Sequence, residues 1–128
     1  MRANLQSLAT AVPGHTLKTE DVIGEAKTIF AGRHVDFERM MPVFANTGID
    51  CRYSVKPYSW FRDNQGWPER TEAFIEGASE LFRRAVTAAL SKADVDADQV
   101  DTIITVSSTG VATPSIEARV LNLVFVMT

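Results

Sequence analysis

Residues 102–119 read TIITVSSTGVATPSIEAR. The β-branched run TIITV is bounded by polar residues, the pattern expected of a buried strand. A loop follows that carries the hydroxyls of Ser107, Ser108, Thr109 and Thr113 around Gly110. Pro114 then opens a predicted helix. Thr113 suits its N-cap, and Pro114 its first turn, because the missing N–H would be unpaired there anyway. A strand, a loop and a helix in that order point to an α/β fold with a mostly parallel sheet. In such sheets ligands lie beyond the carboxyl ends of the strands, where hydroxyls and a glycine can line a pocket. Ser/Thr/Gly/Pro turns are also plain connections between a strand and a helix. The residues alone leave both readings open.

Working outward, the longest helix is predicted from about Pro68 or Thr71 to about Ala93. Phe74, Ala78, Leu81, Ala85 and Ala89 make one row, and Phe82, Val86 and Leu90 the next, giving a broad apolar face. The alanines at 78, 85, 88 and 89 permit close approach of a neighbour. Residues 94–101 are a polar connector. Further upstream, residues 5–12 read as a first strand closed by the turn signal Pro13-Gly14. Thr19 is placed to cap a helix whose first turn carries Glu20 and Asp21, matching the positive end of the dipole. Val22, Ile23, Ala26, Ile29 and Phe30 recur at helical spacing until Ala31-Gly32. A second short helix is predicted from Val35 to Met40-Met41, with Pro42 starting a new turn. NTGIDCRYSV, residues 46–55, reads as a turn at Gly48 feeding a short strand. KPYSWFRDNQGW, residues 56–67, reads as a surface loop whose two tryptophans pack it down.

Bulk properties narrow the function classes. With 128 residues, 45% of them hydrophobic, the chain can bury a core of one domain or part of one. A net charge of −3 with scattered basic residues gives no nucleic-acid footprint. The N-terminus lacks the pattern of a signal peptide, and no apolar run has the length of a membrane span. The single cysteine, Cys51, excludes an internal disulfide and a Cys-rich metal site. A reducing, cytoplasmic setting is the simplest expectation.

The wording of VSSTGVATPSIEAR, residues 106–119, resembles a segment of the type III polyketide synthases, the chalcone/stilbene synthase family, in its bacterial and fungal members. LATAVPGH, FANTGIDCRYSV and RTEAFIEGASELFRRAVTAALSKA resemble earlier family elements in the same order. The resemblance covers about residues 3–122. It implies a thiolase-like (αβαβα) fold, of which this chain is an incomplete N-terminal half, and a homodimer. It implies an acyltransferase that loads an acyl-CoA starter on a cysteine, decarboxylates malonyl-CoA and condenses the two. The CoA thioesters are substrates; no cofactor and no metal is implied.

The family's cysteine, histidine and asparagine have no counterparts among these residues. Cys51 sits where the family has no nucleophile and is read as a small structural residue. No residue of this chain is assigned as catalytic. The resemblance carries three substrate-binding positions over. Arg39 matches an arginine that helps hold CoA phosphates, a task that suits a guanidinium fork. Two lysines of the plant pattern fall here on Asp36 and Val43, and the plain reading of Arg39 as a solvated helix residue stays open. Ser108 matches a small hydroxyl lining the starter pocket. Thr113 matches the position that reaches across the dimer into the partner's cavity. Gly110 and Pro114 shape the loop, and Arg52 and Arg119 are read as ion-pair residues of the fold.

The match runs to Asn122. Residues 1–122 are therefore read as a partial thiolase-like domain, and residues 123–128, LVFVMT, as a divergent tail compatible with a frameshift or truncation. Other readings remain. A ketoacyl synthase III-like fragment would share the fold and condense once on a carrier protein, although the segment at residues 107–119 argues against it. A non-catalytic module pairing with a full-length subunit, or a remnant without a role, is the alternative outside the enzymes.

Overall fold

The computed structural model describes residues 3–30 and 37–124. It forms two compact units, Pro13–Gly66 and the pair of segments Met1–Val12 and Trp67–Thr128.

The Pro13–Gly66 unit runs β1 (His15–Lys18), α1 (Thr19–Phe30), α2 (Phe37–Met40), α3 (Pro42–Asn46), β2 (Cys51–Ser54) and α4 (Tyr58–Arg62). β1 and β2 pair antiparallel, His15 opposite Ser54 and Lys18 opposite Cys51. Gly48, at φ +62, turns the chain ahead of β2 in a conformation that costs glycine little. This antiparallel β-pair departs from the expected parallel sheet: it is the one sheet among the described residues, and no element is expected from the sequence over residues 15–18, where β1 lies.

α1 forms where its periodicity placed it, with Glu20 and Asp21 in its first turn and Lys27 in its last. Thr19 does a different job from the expected cap. Its hydroxyl donates to the Ile49 carbonyl at 2.5 Å, and its amide donates to the Asp50 carbonyl at 2.9 Å. The start of α1 is thereby tied to the turn that feeds β2. The predicted stop at Ala31-Gly32 and start at Val35 lie outside the described residues. Pro42 does begin a new helical turn, α3.

Residues 56–67, read as a loop, contain α4. Tyr, Trp and Phe are weak helix formers, so local preference does not explain this turn; tertiary bonds do. Arg62 donates twice to the Glu25 carboxylate of α1, at 2.5 and 2.8 Å. The Tyr58 hydroxyl donates to the Lys18 carbonyl at 3.3 Å. Trp60 packs edge-on to Phe61, centroids 5.0 Å apart. Trp67 does not pack down: it is 80% exposed and opens the next helix.

The other unit is built on α5 (Trp67–Ala93) and α6 (Ile116–Val124), which pack together. α5 matches the predicted long helix. It ends in a Schellman turn: Asp94 takes φ +53, Val95 N–H bonds the Leu90 carbonyl at 3.2 Å, and Asp94 N–H bonds the Ser91 carbonyl at 3.4 Å. A 3-10 turn, Ala97–Gln99, follows, with Asp96 and Gln99 capping each other. Ala73 on α5 and Val120 on α6 are the two buried hydrophobic residues among those described.

Two predicted strands are not strands. Residues 5–12 lie along α5, held by side chains instead of a ladder. The Ser7 hydroxyl donates to the Ala89 carbonyl at 2.8 Å, Lys92 donates to the Leu8 carbonyl at 3.2 Å, and Arg84 donates to the Val12 carbonyl at 3.0 Å. The period-2 pattern survives, but Ser7, Ala9 and Ala11 are the half-buried positions and Leu5 and Leu8 are exposed. Residues 102–106 form no strand and pair with none among the described residues, and Ile104 and Val106 are 84% and 93% exposed. A β-branched run becomes a strand only when another strand takes its backbone groups.

Candidate functional site

The loop between residue 106 and α6 holds two of the three residues singled out, Ser108 and Thr113. Both are exposed. Three contacts shape it. At its entry, the Thr105 hydroxyl donates to the Glu117 carboxylate in the first turn of α6. At its centre, Gly110 lies against the Phe74 ring of α5. A Cβ there would stand 2.6 to 2.9 Å from three ring atoms, so the close approach requires glycine. At its exit, Arg119 of α6 donates through Nε to the Pro114 carbonyl and through Nη2 to the Thr113 carbonyl, both at 2.9 Å. Within the loop, Thr109 N–H donates to Ser107 Oγ at 3.3 Å.

The exit differs from the expectation. α6 begins at Ile116, two residues beyond Pro114, and the Thr113–Pro114 peptide is cis. Thr113 is therefore a loop residue and not the N-cap. Arg119 N–H bonds the Ser115 carbonyl at 3.1 Å, the first bond of the helix, which makes Ser115 the N-cap. Arg119 was read as an ion-pair residue; its guanidinium serves the loop backbone. Nothing in the spacing announced a guanidinium spanning two successive carbonyls five and six residues back. α6 also runs through Leu123 and Val124, across the boundary drawn at residue 122; residues 125–128 lie outside the described residues.

Hydrogen bonds from the Thr105 hydroxyl, then from Ser115 and the Glu117 amide, hold the Glu117 carboxyl below the usual carboxylate range. A depressed folded-state value stabilises the fold above the unfolded-state value, and this is lost as pH falls through the folded one. Thr105→Val removes the largest contribution. The Glu117 titration, followed by NMR, is expected to move up towards the ordinary value, and the stability that Glu117 loses on acidification to shrink, because the folded and unfolded values draw together. An unmoved Glu117 titration would contradict the entry contact.

Arg39, the third residue singled out, is exposed in the last turn of α2, in the Pro13–Gly66 unit. Asp36 lies outside the described residues; Val43, on α3, is 54% exposed. Cys51 is exposed on β2 and lines an open groove of about 480 Å³ with Lys18, Thr19, Glu20 and Phe44. A second open groove, about 490 Å³, is lined by Trp67, Pro68, Thr71, Ile75 and Arg119. No described helix is long and apolar enough to cross a membrane.

Comparison with known proteins places this arrangement. Its described residues superpose on part of a thiolase-like fold. A fungal type III polyketide synthase covers 94% of the chain at a TM-score of 0.82 and 18% identity, with the chain covering 32% of it, which bears on the fold alone. The 1,3,6,8-tetrahydroxynaphthalene synthase of Streptomyces coelicolor A3(2) covers 92% of the chain at a TM-score of 0.79 and 26% identity, with 34% of that chain covered. In sequence, a Bacillus subtilis (strain 168) protein provisionally named a chalcone synthase is 31% identical over 125 residues, 94% of this chain and 34% of its own length. The 1,3,6,8-tetrahydroxynaphthalene synthase of Streptomyces griseus is 28% identical over 120 residues, 94% of this chain and 32% of its own. No family model matches the chain. The homologues and structural neighbours of this chain are thus type III polyketide synthases. It spans about a third of the length of the curated relatives it matches.

Proposed function

We propose that the chain supplies the starter-pocket loop of a type III polyketide synthase, an acyltransferase that condenses malonyl-CoA with an acyl-CoA starter. The observation that carries this reading is the loop itself, pinned at three places while Ser108 and Thr113 remain exposed and open to a ligand. Short hydroxyl side chains leave room for an acyl chain while offering a hydrogen bond to a thioester oxygen. In this reading Thr113 also reaches the partner's cavity in a homodimer, and Arg39 contributes a guanidinium to CoA phosphates.

Condensation needs a thiolate nucleophile and donors for the enolate and oxyanion. In this reading Cys51, exposed on a two-stranded sheet, does not serve as that nucleophile. The 128 residues alone are expected to release no CO2 from radiolabelled malonyl-CoA, and Cys51→Ser to change nothing. Decarboxylation by the isolated chain that disappears in Cys51→Ser would overturn the assignment.

A further inference from the structure

α6 reaches back to the loop from two of its residues. Arg119 spans the consecutive carbonyls of Thr113 and Pro114 with two separate nitrogens, each bond 2.9 Å long. A planar guanidinium can serve two acceptors at once with little extra ordering, and its charge strengthens both bonds. Glu117, two residues earlier, takes the Thr105 hydroxyl at the loop's other end. Gly110 seats the middle on Phe74. The backbone of Thr113 therefore has little freedom that does not pass through Arg119, while the Thr113 side chain is exposed.

We propose that Arg119 is a positioning residue: by gripping the Thr113 carbonyl it fixes where the Thr113 side chain stands and so sets which acyl chains the pocket accepts. The selectivity part rests on the reading of Thr113 as a pocket residue; the grip itself does not. A lysine has one compact ammonium and reaches one carbonyl at a time. Glutamine lacks the charge and the fork.

The test compares the unaltered 128-residue chain with Arg119→Lys and Arg119→Gln. Hydrogen exchange at residues 107–113 is expected to quicken by roughly threefold to tenfold in Arg119→Gln and by less in Arg119→Lys, with α5 amides unchanged. Equal loss of protection across α5 and α6 in both variants, or no change in the loop, would overturn the positioning role. The second readout is equilibrium dialysis with hexanoyl-CoA, acetyl-CoA and free CoA. Arg119→Gln is expected to lose the preference between the two acyl-CoAs while its affinity for free CoA stays as before. An unchanged preference would overturn the selectivity role. No hexanoyl-CoA uptake by the unaltered chain would sink the pocket reading, and the exchange pattern would then decide the grip by itself.

Discussion

Gly110→Leu is expected to unseat the loop. Even a Cβ at residue 110 would stand 2.6 to 2.9 Å from the Phe74 ring, well inside contact distance, and the rest of a leucine has to go further. Phe74 is half-buried on α5. Either the loop lifts or the ring leaves its place. Overpacking of this kind costs about 1–3 kcal/mol and occasionally more. The loss should appear as a lower urea midpoint with an unchanged slope. Gly110→Ala should lie between the two. Trimming the ring with Phe74→Leu in the Gly110→Ala background should recover part of the loss, a coupling that separate sites do not show. A Gly110→Leu variant with unaltered stability would mean that the loop does not sit on α5.

Val120→Asp is expected to be the most damaging single change in the α5–α6 unit. Val120 is 1% exposed and Ala73 is 5% exposed, the two buried hydrophobic residues among those described, one on each helix. A carboxylate at residue 120 must lose its hydration or pull α6 off α5. Burying an unpaired polar group costs several kcal/mol, and a charge costs more. That is a large share of the total stability of a small domain. Because α6 carries both Glu117 and Arg119, the variant should also release the loop at both ends. Val120→Ala, which removes two methyl groups and leaves a small void, should cost roughly 1–3 kcal/mol. The neighbouring Leu121→Asp is the control, since Leu121 is 38% exposed. Near-native helical circular dichroism and an intact unfolding transition in Val120→Asp would contradict this packing.

Periodicity and composition made the helices legible. α1 and α5 announce themselves by apolar spacing, and Glu20, Asp21 and Lys27 mark the direction of α1. Gly48 and the strand after it were equally readable. What failed was the step from strand-like sequence to strand. TIITV and residues 5–12 have β-branched or alternating patterns, but a ladder is a relation between two segments, and a one-dimensional pattern cannot supply the second. Here the carbonyls of Leu8 and Val12 are taken by Lys92 and Arg84, more than seventy residues away in sequence. α4 failed for the converse reason: its aromatic sequence looks like a loop until Arg62 finds Glu25.

At the loop of residues 107–115, sequence and structure part over what holds the backbone. Thr113-Pro114 has the composition of a helix start, yet the helix waits until Ile116. Arg119 looked like half of an ion pair because charge is what a sequence displays; that its partners are two backbone carbonyls is visible only in three dimensions. Gly110 could have been any turn glycine. Phe74, thirty-six residues earlier, is the reason it is not.

The most direct test of the reading as a whole exchanges residues 3–122 for the matching third of the Streptomyces coelicolor tetrahydroxynaphthalene synthase. The exchanged enzyme would then be assayed for release of CO2 from malonyl-CoA. If this chain supplies the substrate loop of a condensing enzyme, the exchanged enzyme decarboxylates malonyl-CoA, and enlarging Thr113 to Trp alters which acyl-CoA starter it takes. A folded exchanged enzyme with no decarboxylation, or one whose starter preference ignores residue 113, would contradict it.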